Sequence, residues 1–84
     1  MYYVYLLKSK RKVDWHYIGY TSNLEKRFKE HQNGLSKSTK PYRPLELIFY
    51  EAYKSKSDAK RREAYFKTNK GKRTLKLMLK DSLK

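Results

Sequence analysis

The alternation of apolar and polar positions changes period along this chain, and each change marks an element. Tyr2 to Leu7 is a nearly unbroken aromatic and aliphatic run, which predicts a strand. On a pleated strand, Val4 and Leu6 face one side, and Tyr3, Tyr5 and Leu7 the other. Lys8 to Asp14 is mostly charged and predicts a loop; Trp15 to Tyr20 then predicts a second strand. Two strands joined by a short polar loop form an antiparallel hairpin. A symmetric loop would set Lys8 opposite Asp14 and Tyr5 opposite Tyr17, with both phenols on one face.

Gly19 interrupts the second strand, where the backbone bends or something approaches closely. Ser22-Asn23-Leu24-Glu25 has the pattern of a capping box that opens a helix. Leu24, Arg27, Phe28 and His31 follow at i, i+3, i+4 and i+7, one helical face. Asn33-Gly34 closes that helix. Leu35 to Pro44 predicts a loop and Leu45 to Tyr53 a third strand, with Leu47, Phe49 and Glu51 on one face and Ile48, Tyr50 and Ala52 on the other. Ser55 to Asp58 opens a second helix whose inner face carries Ala59, Arg62, Glu63 and Phe66. Asn69 and Gly71 predict a break over Thr68 to Lys72. A last helix runs from Thr74 to Leu83, with Leu75, Met78 and Leu79 as its core stripe and Leu83 in a frayed end. The order β-β-α-β-α-α makes an α+β fold: a three-stranded antiparallel or mixed sheet flanked by about three helices, in one domain over 1–84.

Charge narrows the partner. Lys and Arg total 22 against 8 Asp and Glu, a formal charge of +14 on 84 residues. Such an excess repels itself unless a polyanion neutralises it. Nucleic acid does so with release of counterions, which places it ahead of an anionic membrane surface. The excess is steepest from Lys54 to Lys84, with 12 basic residues against 3 acidic ones. There is no Cys, which excludes a disulfide framework and a thiolate metal site and fits a reducing cytoplasm. Met1 to Leu7 is too short for a signal h-region, and no apolar run is long enough to cross a bilayer.

Five residues stand out against this background. Glu63 shares a helical face with Ala59 and Phe66, where a carboxylate needs a partner. That partner is either a neighbouring cation or a bound Mg²⁺ or Mn²⁺. Arg27 either snorkels out of its apolar stripe or clamps a phosphate bidentately. His31, one turn on, is either a structural residue or a base, phosphate donor or ligand. Tyr5 and Tyr17 are either core aromatics or phenols that handle a water, which requires a pKa far below about 10. A nearby divalent ion would lower it, so the tyrosine hypothesis depends on Glu63.

The ordered set Val4-Tyr5, Tyr17-Ile18-Gly19, Arg27, His31 and Glu63 resembles the GIY-YIG nuclease superfamily over nearly the whole chain. It is closest to the small stand-alone bacterial members, and similar to the N-terminal catalytic domain of an excision-repair nuclease. The segment Tyr17 to His31 carries the most specific part of the likeness. Two departures are plain: Tyr3 stands where the first motif has glycine, and Val4 where it has isoleucine. The resemblance implies Mg²⁺- or Mn²⁺-dependent cleavage of DNA phosphodiester bonds, in repair or recombination, with one divalent ion on Glu63. It implies that Tyr5 activates or positions the attacking water and that Tyr17 binds that water or the phosphate. Arg27 would stabilise the pentacovalent phosphate and His31 would assist as base or donor. Gly19, Lys67 and Asn69 become candidate substrate-binding residues. The expected protein is cytoplasmic, a monomer or weak homodimer, acting on nucleic acid, DNA ahead of RNA, and on no membrane. The rivals are a non-catalytic basic nucleic-acid-binding module that keeps the fold, and a small protein that stabilises a ribonucleoprotein.

Overall fold

The computed structural model describes Met1–Lys84. Strand β1 (Tyr2–Ser9) lies in the middle of a three-stranded antiparallel sheet, between β2 (His16–Thr21) and β3 (Leu45–Tyr53). Helix α1 (Leu24–Gln32) follows β2; α2 (Lys56–Phe66) and α3 (Asn69–Met78) follow β3. The order is β-β-α-β-α-α, the expected α+β arrangement.

The alternation on β1 holds and divides the core in two. Val4 and Leu6 pack with Ala59, Phe66, Leu75 and Leu79 beneath α2 and α3. Tyr5 and Leu7 pack with Leu45 and are covered by Leu24 and Phe28 of α1. Each β1 residue from Val4 to Leu7 is at most 2% exposed, because helices cover both faces of the central strand.

The hairpin register differs from the symmetric one by two residues: Lys8 pairs with His16, Leu7 with Tyr17, and Tyr5 with Gly19. A two-residue slip preserves the faces, so Tyr5 and Tyr17 still share one as diagonal neighbours, ring centroids 6.4 Å apart. On β3 the expected alternation fails. Leu6 pairs with Phe49 but Leu7 with Leu47, so a bulge absorbs Ile48 and reverses the parity beyond it. Leu47 therefore joins the α1 side while Phe49 packs on the α2 side. There Glu51 takes two hydrogen bonds from Arg62, at 2.9 and 3.2 Å, and one from Tyr53.

Helix boundaries shift for local reasons. The N-cap of α1 is Asn23, whose side chain accepts from the Lys26 N–H at 3.1 Å; Ser22 lies outside the helix. Its end is as expected: Gly34 has φ +76°, and the N–H groups of Gly34 and Leu35 return to the carbonyls of His31 and Glu30. The largest difference is α3, which begins five residues earlier than its spacing predicts. Thr68 caps it by accepting from the Gly71 N–H at 3.0 Å, so Asn69 and Gly71 are helical rather than a break. Gly71 is buried, and a Cβ there would overlap the Tyr65 carbonyl oxygen. Its glycine lets two helix backbones touch. The stripe of α3 is Leu75 and Leu79; Met78 is exposed, and Leu83, instead of fraying, packs on the core.

Candidate active site

The site is built around the phenol of Tyr5. The residue is 1% exposed, and a Cβ on Gly19 would overlap its Cζ and Oη. The glycine of β2 thus makes room for the ring of the residue paired with it. The expected close approach at Gly19 is made by the protein's own side chain.

From α1, His31 meets that phenol. Its Nε2 shares a 2.8 Å hydrogen bond with the Tyr5 hydroxyl, and its Nδ1 a 2.8 Å bond with Thr39 Oγ1. All three residues are essentially buried. Thr39 comes from the 35–44 loop, whose backbone folds back in hydrogen-bonded turns between Ser36 and Tyr42. That loop is fastened at both ends. Ser9 Oγ donates to the Tyr42 carbonyl at 2.6 Å, and the Gln32 amide exchanges two hydrogen bonds with the backbone of Leu45. Nothing in the local pattern around Thr39 distinguishes it from other loop hydroxyls, so sequence alone passes over it.

Burial pushes the Tyr5 phenol up to about 12; Tyr17 and Glu63 push in the same direction, and Arg27 opposes them. Burial and then the Arg27 cation push His31 down to about 4, partly offset by Glu30. At neutral pH the pair is therefore a protonated phenol against a neutral imidazole.

Tyr17 sits with its ring at an angle to both Tyr5 and His31, centroids 6.4 and 5.4 Å apart. It is half-buried, and Trp15 stacks beside it. Arg27 is held by Glu30 at 3.2 Å with a third of its side chain exposed, which leaves the guanidinium available at the surface. Glu63 lies on α2, on the other face of the sheet. Its carboxylate is one-fifth exposed, accepts from Lys67 Nζ at 3.2 Å, and is the weakest of the influences on the Tyr5 phenol. Of the two partners expected for that carboxylate, the neighbouring cation is the one present: Lys67. Lys67 is exposed beside it, and Asn69 is exposed at the first position of α3.

The donor set constrains any bound metal. No group of three or more His, Cys, Asp or Glu side chains comes together. A cage of such side chains is therefore not formed, but a single largely buried carboxylate fits an ion that completes its shell with water and phosphate oxygens. Mg²⁺ is bound in that way, through one or two carboxylates plus substrate. No helix is long and apolar enough to cross a membrane.

Comparison with known proteins bears on the same residues. A UPF0213 protein of Clostridium perfringens is 40% identical over 85 residues, covering 100% of this chain and 89% of its own. The UPF0213 protein YazA of Bacillus subtilis is 45% identical over 67 residues, 79% of this chain and 66% of its own. The solution NMR structure of a UPF0213 protein from Bacillus halodurans superposes with a TM-score of 0.56 at 33% identity, covering 93% of this chain and 85% of that one. The family model of the GIY-YIG catalytic domain matches residues 1–76, a span that contains both tyrosine motifs, α1 and Glu63. With the hairpin and the helix after it in the matched span, the chain belongs to the GIY-YIG nuclease domain family, alongside bacterial UPF0213 proteins.

Proposed function

We propose that residues 1–84 form one metal-dependent endonuclease unit that hydrolyses phosphodiester bonds in DNA. What supports this most is a single arrangement: the buried Tyr5–His31–Thr39 hydrogen-bond chain, with the Tyr17 ring beside it and the Arg27 cation bearing on the same phenol.

Roles follow from protonation. Neutral His31 presents an unprotonated Nε2 to Tyr5 when its Nδ1–H donates to Thr39. The Tyr5 hydroxyl then donates to His31 and keeps its lone pairs for a water. With its pKa near 12, Tyr5 stays neutral, since ionising it at neutral pH would cost about 7 kcal/mol; as the water attacks, its proton passes to the phenol oxygen while the phenol proton passes to His31 Nε2. Tyr17 holds the water or the phosphate from the half-exposed side. Arg27 supplies charge to the phosphate as it becomes pentacovalent. Glu63 would hold the divalent cation, which when bound polarises the phosphate and stabilises the leaving oxygen. Lys67 and Asn69 flank the strand.

The test is cleavage of plasmid and branched DNA with Mg²⁺ or Mn²⁺ and with chelator. The expected result is metal-dependent cleavage that falls by about 100-fold or more in Glu63→Ala and Tyr5→Phe with folding intact. Cleavage unchanged in both variants would overturn the assignment. The other outcome is a non-catalytic nucleic-acid-binding module that keeps the fold. Tight, salt-sensitive binding with no metal-dependent cleavage would establish it.

A further inference from the structure

The 35–44 loop enters the site through one side chain. Thr39 is fully buried, and its Oγ1 lies 2.8 Å from His31 Nδ1. Its backbone is held on both sides: the Thr39 N–H donates to the Ser36 carbonyl, and the Thr39 carbonyl accepts from the Tyr42 N–H. Ser9, also fully buried, ties this loop to the hairpin loop. It donates to the Tyr42 carbonyl at 2.6 Å and accepts from the N–H groups of Arg11 and Lys12 at 3.1 and 2.9 Å. Trp15 stacks on Tyr42, ring centroids 4.1 Å apart. The imidazole has as little freedom, since the Tyr5 and Tyr17 rings meet it at steep angles, centroids 5.7 and 5.4 Å away.

Only one arrangement of protons along this chain serves the reaction. His31 can take the phenol proton only if Nε2 is unprotonated, and the single proton of the neutral ring is then on Nδ1. Which nitrogen carries that proton is set by the hydrogen bonds the ring makes. Nδ1–H needs an acceptor, and Thr39 Oγ1 is the atom bonded there. At the other end, the Arg27 cation bears on the Tyr5 oxygen, which turns the phenol proton toward Nε2. In the opposite tautomer Nε2–H would donate to Tyr5, and the phenol proton would have no base.

We propose that Thr39 is a positioning residue of the reaction: it holds His31 as the Nδ1–H tautomer and so fixes the direction of proton transfer from Tyr5. It rests on the nuclease reading above and adds to it a residue from outside the ordered motif. In the step, the water proton goes to the Tyr5 oxygen and the Tyr5 proton to Nε2, while Nδ1 keeps its own. The imidazolium that results donates to two hydroxyl oxygens, those of Tyr5 and Thr39, and both can accept. Thr39 exchanges no proton.

Heteronuclear NMR of the imidazole nitrogens separates the two tautomers, because a protonated and an unprotonated ring nitrogen resonate far apart, and it needs no turnover. The other histidine is His16, so His16→Gln assigns the His31 signals. At neutral pH the parent should show Nδ1 protonated and Nε2 bare. Thr39→Val, which cannot accept, should move the proton to Nε2, and Thr39→Ser should leave it on Nδ1. Metal-dependent cleavage should fall about 100-fold or more in Thr39→Val and return in Thr39→Ser. A parent His31 protonated on Nε2 would overturn the proposal whether or not the valine variant folds. So would a folded Thr39→Val protein that keeps the Nδ1 proton or cleaves as the parent does. Failure of the nuclease reading looks different: the parent itself would not cleave, with the spectra as expected, and the role in the reaction would fall with it.

Discussion

Removing the titration of His31 should abolish a specific part of the acid sensitivity of this fold. The imidazole is fully buried between two hydroxyls, Tyr5 on one nitrogen and Thr39 on the other. Hydroxyl oxygens can accept from both N–H groups of an imidazolium, so these bonds alone would tolerate protonation. Burial and the Arg27 cation do not, and they hold the folded-state pKa at about 4 against an ordinary 6.5. The unfolded chain therefore takes up this proton first as pH falls. Stability from His31 is complete above about pH 6.5, drains away between about 6.5 and 4, and changes no further below that. A gap of about 2.5 pH units at about 1.4 kcal/mol each amounts to roughly 3 kcal/mol. For a domain of this size that is a large part of the total. The assay is urea unfolding at closely spaced pH values for the parent and for His31→Gln, which keeps a polar side chain but cannot titrate. Carboxylates titrate in both proteins, so the difference between the two curves isolates the histidine. The parent should lose roughly 3 kcal/mol more than the variant across the window. Parallel curves would refute the buried, neutral His31 on which the proposed Tyr5 geometry depends.

Thr39→Val keeps the shape of the side chain but leaves His31 Nδ1 without a partner. It should cost about 1–3 kcal/mol in urea unfolding, with Thr39→Ser restoring most of it; a parental midpoint for Val would show that the bond orders nothing. Gly71→Ala sets two effects against each other. Alanine in an open helix gains about 1 kcal/mol over glycine, but here its methyl would overlap the Tyr65 carbonyl and the Phe66 Cα. Backbone cannot swing aside, so a net loss of roughly 2 kcal/mol or more is expected in thermal or urea unfolding. A stabilised Gly71→Ala protein would mean that α2 and α3 do not touch there.

Much of this protein is legible along the chain because its strong signals are local. The period-two burial of Val4 and Leu6 against Tyr5 and Leu7 follows from pleating alone, and both cores formed on the expected sides. The three-four spacing of Leu24, Arg27, Phe28 and His31 set one face of α1, and the Asn33-Gly34 close needed only a residue tolerant of positive φ. Where expectation and structure part, the cause is a contact distant in sequence. The bulge at Ile48 is a property of the pairing of β3 with β1, not of β3. Gly71 reads as a helix breaker until Tyr65 is laid against it. Gly19 reads as an opening for something external until Tyr5 fills it.

The amino-acid sequence by itself determined the element order, the faces of β1 and α1, the cationic excess, and the ordered motif that places the chain in its family. Each is a matter of residue type and short spacing. The tertiary structure alone decided that Thr39 closes the hydrogen-bond chain behind His31, and that Lys67 pairs with Glu63 on the opposite face of the sheet. It also decided that burial raises the phenol and lowers the imidazole. Those are effects of which groups lose water together and which charges then face them at short range, and loop packing and helix docking set both.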